Sequence, residues 1–240
     1  MNTSKTFWAI VPAAGVGQRM AADKPKQYLP LLDKTVLEHS LQRLLDMPLI
    51  AGVVIALDSN DQYWPLLQFE HTKPVHVVDG GRERCDSVMN ALRFLQQSLT
   101  GARPEDVWVL VHDAARPCVR AEDIERLIEA ASHDEHGGLL ALPVRDTMKR
   151  QMENNRVQTT IDRSGLWHAL TPQMFRLPLL LNALEQSRTR GLQVTDDASA
   201  MELEGYHPLL VEGREDNIKI TRPFDLELAQ LYLGYQSTDR

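Results

Sequence analysis

The stretch Ile10-Val-Pro-Ala-Ala-Gly-Val-Gly-Gln-Arg-Met-Ala-Ala-Asp-Lys-Pro-Lys26 decides how the chain is read. Residues 7–11 form a continuous apolar run, the pattern of a short strand buried on both faces. The run breaks at Pro12 into a loop of small residues, and Arg19, Lys24 and Lys26 follow. Small residues let the backbone come close to a ligand, and successive N–H groups there can form an anion-binding nest. Three cations just beyond suit a ligand with several negative charges, a polyphosphate first of all. Two known phosphate motifs do not account for the stretch. The P-loop needs G-x-x-x-x-G-K-[ST], and Gly15 and Gly17 are too close together for it. The dinucleotide fingerprint G-x-G-x-x-G/A begins at Gly15 but meets Met20 in its third place. An ordinary strand-to-helix turn remains the alternative for the two glycines alone. It gives no reason for Lys24-Pro-Lys26.

Working outward, the same alternation recurs. Residues 35–45 read as a helix, with a Thr35/Glu38 capping box and Leu37, Leu41, Leu44 and Leu45 on one face. Strands are expected at 53–57, 75–78, 107–111, 139–144 and 209–211. Helices are expected at 84–99, 121–132 and 177–188, with a shorter one at 61–69. Thr195 is expected to cap another helix, with Asp196 and Asp197 in its first turn. Thr221-Arg-Pro223 opens a last helix whose Phe224, Leu228 and Leu231 are expected to face inward. Apolar strands without polar alternation, separated by amphipathic helices, indicate an α/β doubly wound, mostly parallel sheet. Residues 145–163 depart from this pattern. They are polar, favour extended chain and carry Asn154-Asn155 as a turn. They read as a protruding β-hairpin arm that packs on a partner subunit, with a solvated loop as the alternative. No linker invites a cut, so residues 1–240 are expected to form one domain.

Composition narrows the ligand. The chain has 43% hydrophobic residues, enough for a sizeable core. Its 26 Lys and Arg against 33 Asp and Glu leave a formal charge of −7. Nucleic acid is held largely through Lys and Arg, so an acidic chain with local cationic clusters suits a small anion better. The two cysteines, Cys85 and Cys118, match neither a metal spacing nor a disulfide framework. There is no signal-like apolar region and no run long enough to span a bilayer, so a cytoplasmic protein with reduced thiols is expected.

Open parallel sheets bind ligands at the carboxyl ends of their strands, and each such end here carries chemistry. After the opening loop come Asp79-Gly80-Gly81-Arg82-Glu83-Arg84 with Ser87, then His112-Asp113-Ala-Ala-Arg116-Pro117. Pro143-Val-Arg145-Asp146-Thr147 and Gly213-Arg214-Glu-Asp216-Asn217-Ile-Lys219 complete the rim. Asp113 and Asp216 are candidates for Mg²⁺, which prefers oxygen ligands shared with substrate phosphates. An ion pair with Arg116 is the alternative for Asp113, and a turn-forming role for Asp216. His112 beside Asp113 invites a dyad reading, but no Gly-x-Ser-x-Gly elbow accompanies it, and His112 is read as structural.

These segments, together with Pro25-Lys-Gln-Tyr28, Leu166-Trp-His-Ala-Leu-Thr-Pro-Gln173 and Thr195-Asp-Asp-Ala-Ser199, resemble one family over nearly the whole chain. It is the 2-C-methyl-D-erythritol 4-phosphate cytidylyltransferase family of non-mevalonate isoprenoid biosynthesis. The resemblance implies that methylerythritol phosphate attacks the α-phosphate of CTP and that pyrophosphate leaves. It implies that Pro12, Ala13, Ala14 and Gly15 cradle CTP, and that Gly81, Arg84 and Ser87 hold the cytosine and nearby groups. Arg19, Lys26 and Lys219 would stabilise phosphate charge, and Asp113 with Asp216 would serve Mg²⁺. Arg116, Thr147, Arg163, Thr171 and Thr195 would contact methylerythritol phosphate. The family forms homodimers through the arm, which leaves open whether Arg163 serves its own site or the partner's. No motif departs from the family pattern, and the fused form with a following cyclase is not expected. A ribitol 5-phosphate cytidylyltransferase and a non-catalytic nucleotide-binding regulator are the rival readings. A dinucleotide oxidoreductase is disfavoured by Met20.

Overall fold

The computed structural model describes residues 5–15, 24–99, 101 and 103–238. In chain order the strands are β1 Thr6–Pro12, β2 Pro30–Leu31, β3 Lys34–Thr35, β4 Ile50–Leu57, β5 Val75–Asp79, β6 Val107–Val111 and β7 Gly138–Pro143. They continue with β8 Met148–Gln151, β9 Val157–Ile161, β10 Trp167–Arg176 and β11 Leu209–Glu212. The α-helices are α1 Val36–Leu45, α2 Arg84–Ser98, α3 Ala121–Ala131, α4 Leu177–Thr189, α5 Asp197–Leu203 and α6 Pro223–Thr238.

Seven strands form one sheet in the order β11-β7-β10-β6-β1-β4-β5. β1 lies parallel to both β4 and β6, β4 to β5, and β11 to β7. β10 runs antiparallel between β6 and β7. This strand was not among the expected ones. Its Leu170-Thr-Pro-Gln173 interrupts any apolar run, yet residues 170–175 are all buried. The sheet is covered on both faces, as a doubly wound reading requires. Alternate β1 side chains serve opposite layers: Ala9 and Val11 pack with Leu41, Leu44 and Ile124, and Trp8 and Ile10 pack with Val88, Leu92 and Leu180. With period-two alternation, one central strand joins the two half-cores.

α1 starts at the expected cap. Glu38 N–H donates to Thr35 Oγ1 at 3.3 Å, and Thr35 N–H donates to Glu38 Oε2 at 2.7 Å. The arm is also as expected: β8 and β9 pair antiparallel, and Asn154 and Asn155 turn with φ of 76° and 59°. Three expectations are corrected. Residues 61–69 hold only a 3-10 turn at Trp64–Leu66, because Asp61 Oδ1 captures the N–H groups of Tyr63 and Trp64 in a local turn. The cap of α5 is Asp196, whose Oδ1 accepts from Ser199 N–H at 3.0 Å; Thr195 lies one residue too early. In α6 the inward residues are Ala229, Leu233 and Gln236, whereas Phe224 and Leu231 are each 69% exposed. This helix carries two apolar stripes, and Leu31, Val36 and Ile220 cover the one holding Ala229 and Leu233. No described helix is long and apolar enough to cross a membrane.

Candidate active site

Loops from the carboxyl ends of β1, β5 and β6 meet the segment after β11 around one open cleft. Pro12, Ala13, Ala14, Gly15, Lys26, Gly81, Arg84, Ser87, Asp113 and Lys219 all line it. Arg19 and Gly17 lie outside the described residues.

The β1 loop is held by backbone and by one side chain. Ala13 N–H donates to Ala56 O at 2.8 Å, continuing the ladder to β4. Gln27, buried and also lining the cleft, donates from Nε2 to Ala13 O at 2.7 Å. Sequence reasoning passed over Gln27; its place between Lys26 and Tyr28 was the available signal. The β5 loop lies against the β1 loop. A Cβ added to Gly80 would stand 2.4 Å from Ala14 Cβ, so the approach needs a residue without a side chain. Ser87 Oγ accepts from Gly81 N–H at 3.0 Å and donates to Glu83 O at 3.3 Å, fixing the turn into α2.

The cations gather round one carboxylate. Asp113 Oδ1 accepts from Arg84 Nε at 3.0 Å. Its Oδ2 faces Lys219 Nζ at 2.9 Å and Arg116 Nε at 3.5 Å. Burial alone would raise the Asp113 carboxyl, but Arg84, Lys219 and Arg116 hold it well below the ordinary carboxylate range. Lys26 Nζ donates to Ile220 O at 3.1 Å, which ties it to the residue after Lys219.

Behind Asp113 lies a neutral network. His112 Nε2 donates to Arg116 O at 3.0 Å, so Nδ1 is left to accept from Thr171 Oγ1 at 3.1 Å. Thr171 Oγ1 accepts from Asp113 N–H at 3.1 Å. Burial pushes His112 down to about 4, which keeps it uncharged near neutrality. Asn217 Nδ2 donates to Thr171 O at 2.8 Å, and Arg116 Nη1 donates to Asn217 O at 2.7 Å. His112 therefore holds the Asp113 turn.

The remaining expected residues do not line this cleft. Arg116 and Thr171 are buried behind Asp113. Thr147 and Arg163 are exposed at the two roots of the arm, and Thr195 is exposed just before α5. Asp216 is not among the residues that line the cleft. Its Oδ2 accepts from Arg120 Nε at 2.7 Å and from Gln236 Nε2 at 3.0 Å, tying the segment after β11 to α6. Among the described residues no group of three or more His, Cys, Asp or Glu could hold a metal ion unaided. Of the two carboxylates expected to serve Mg²⁺, Asp113 lines the cleft and Asp216 does not; an oxygen ligand beside bound phosphates is the kind of donor Mg²⁺ takes.

The family model for 2-C-methyl-D-erythritol 4-phosphate cytidylyltransferase matches residues 7–235. This chain belongs to that family. A 2-C-methyl-D-erythritol 4-phosphate cytidylyltransferase of Aliivibrio fischeri is 52% identical over 97% of this chain and 96% of its own length. One from Pseudomonas putida is 53% identical over 98% and 99%. Among solved structures, a 4-diphosphocytidyl-2C-methyl-D-erythritol synthase superposes with a TM-score of 0.82 at 38% identity, covering 95% of this chain and 99% of that one. The Francisella tularensis cytidylyltransferase gives 0.81, also at 38%, covering 95% and 100%. The coverage is mutual, so the cytidylyltransferase fold extends over the cleft, the arm and α6 alike.

Proposed function

We propose that this cleft is where the cytidylyltransferase joins CTP to 2-C-methyl-D-erythritol 4-phosphate. A phosphate oxygen of the acceptor attacks the α-phosphorus of CTP, and the bond to the β-phosphate breaks. Pyrophosphate leaves, and 4-diphosphocytidyl-2-C-methyl-D-erythritol forms. The nucleophile is a phosphate oxygen already ionised at neutral pH, so no strong base is needed. The difficulty is bringing two anions together, and positioning with fixed charge supplies most of the acceleration.

The observation that carries this reading is the convergence of Lys26, Arg84 and Lys219 on one cleft beside the small-residue loop. Pro12 to Gly15 would pass along the nucleotide, with Gly81, Arg84 and Ser87 around the base. Lys26 and Lys219, with Arg19, would meet the phosphates. A Mg²⁺ ion, when bound, would neutralise phosphate charge, with Asp113 as its protein ligand. Arg116 and Thr171 support the Asp113 turn, and Thr195 stands on the acceptor side. Thr147 and Arg163, on the arm, reach the acceptor in a homodimer, in the cytoplasm. The whole chain works as one catalytic unit.

The test is CTP-dependent pyrophosphate release with and without methylerythritol phosphate. Release that requires this acceptor supports the reading. Release that prefers ribitol 5-phosphate, or CTP binding with no release, defeats it.

A further inference from the structure

A carboxylate behind the cleft wall has no role in the account so far. Asp197 is the first residue of α5 and is 0% exposed. The capping of that helix is done by Asp196, and Ala198 N–H donates to Gln173 Oε1 at 2.8 Å, so neither task falls to Asp197. Its Oδ2 lies 2.9 Å from Arg84 Nη2, and neither oxygen has a well-aligned hydrogen bond among the described residues. A carboxylate withdrawn from water is costly unless a cation compensates it. The compensating cation here is Arg84.

Arg84 is thus held from two sides. Nε donates to Asp113 at the cleft floor, and Nη2 faces Asp197 behind the wall. A guanidinium is a planar fork whose direction decides what it can meet. With one anion it can pair fork to fork and turn its edge away from the cleft. Held between two carboxylates on different segments, it keeps one orientation.

We propose that Asp197 is a positioning residue: it fixes the Arg84 guanidinium against the cleft wall in the orientation that receives the nucleotide. This rests on the reading of the cleft as the CTP site. The competing role is plain support of α5, whose start carries Thr195 two residues earlier on the acceptor side. The two roles affect different substrates. Loss of Arg84 orientation raises KM for CTP, whereas a shifted α5 raises KM for methylerythritol phosphate.

The experiment uses the full chain with Mg²⁺, varying each substrate in turn and following pyrophosphate. Asp197→Asn keeps the shape and removes the charge. It is expected to raise KM for CTP about tenfold, with a smaller change in kcat and in KM for the acceptor. In Arg84→Met/Asp197→Asn both buried charges are gone, and its KM for CTP is expected to equal that of Arg84→Met alone. Should Asp197→Asn give no folded protein, this double variant carries the test by itself. A raised KM for the acceptor with KM for CTP unmoved overturns the proposal. So does a double variant whose CTP defect exceeds that of Arg84→Met. Wild-type protein that releases no pyrophosphate from CTP would instead defeat the reading of the site.

Discussion

Lys219→Ala is the sharpest perturbation of the phosphate machinery. The ammonium lies 2.9 Å from Asp113 Oδ2, and 39% of the side chain is exposed to the cleft. A unit cation about 4 Å from a phosphate oxygen gains roughly 4 kcal/mol at an effective dielectric of about 20. Part of that gain is already present when CTP first binds. What counts for kcat is the share that grows as charge moves onto the leaving pyrophosphate. Removing one preorganised donor costs about 2.7–4 kcal/mol, or roughly 10²–10³ in kcat. The fold should tolerate the change. Asp113 keeps Arg84 at 3.0 Å and Arg116 at 3.5 Å, so it is not orphaned. The lost pair is more than a third exposed, and solvent screening reduces its contribution to stability to about 1 kcal/mol or less. For a chain of this size that is a shift in Tm of about 2–4 °C. The assay is pyrophosphate release at saturating CTP and acceptor, with a thermal melt on the same preparation. A folded Lys219→Ala protein with kcat within about threefold of wild type would falsify the assignment of Lys219 to the reacting phosphates.

Gly80→Ala should drive the β1 and β5 loops apart, because its Cβ would stand 2.4 Å from Ala14 Cβ and 3.0 Å from Leu57 O. A loss of about 1–3 kcal/mol in stability is expected from the overpacking, seen as a lower Tm, with a raised KM for CTP. Arg163→Ala, on the exposed root of the arm, should raise KM for methylerythritol phosphate and leave KM for CTP and Tm unchanged. If the proposed homodimer forms and Arg163 acts across its interface, mixing Arg163→Ala with Lys219→Ala should restore activity, and acceptor kinetics like wild type would exclude Arg163 from the site. His39 is half-buried, with Nε2 2.7 Å from Leu31 O, and burial holds it below its ordinary value. The folded state keeps it neutral while the unfolded chain takes up a proton, so its contribution is full above the ordinary His range and falls as pH drops through it. Urea midpoints at about pH 7.5 and 5.5 should therefore differ less in His39→Gln than in wild type.

The sequence exposed whatever local chemistry determines. The apolar run into small residues, the Thr35/Glu38 box and the paired asparagines of the arm are short-range signals, and each element stands where those signals put it. β10 escaped because its burial is a property of the sheet. Trp167–Arg176 is enclosed by β6 and β7, and a strand with a neighbour on each side can bury Thr171 and Gln173 once their polar groups find partners. α6 misled for a different reason. Phe224, Leu228 and Leu231 have helical spacing, and so do Ala229, Leu233 and Gln236. Periodicity identifies an apolar stripe but cannot say which of two stripes meets the core.

The candidate site divides along the same line. The lining residues follow from strand ends, because a parallel sheet delivers those ends to one rim. The pairing of charges within the rim does not follow. Lys26, Arg84, Arg116 and Lys219 are all cations expected at the site, yet they are differently committed. Arg116 is spent on Asp113 and Asn217, and Arg84 is shared between two carboxylates. Lys219 projects its ammonium into the cleft against Asp113. A cation buried against its own carboxylate contributes orientation, whereas one that faces the cleft contributes field. Arg116→Ala should therefore act mainly through stability and the placing of Asp113, and Lys219→Ala mainly through kcat. That division depends on contacts between segments far apart in the chain, which local spacing cannot reveal.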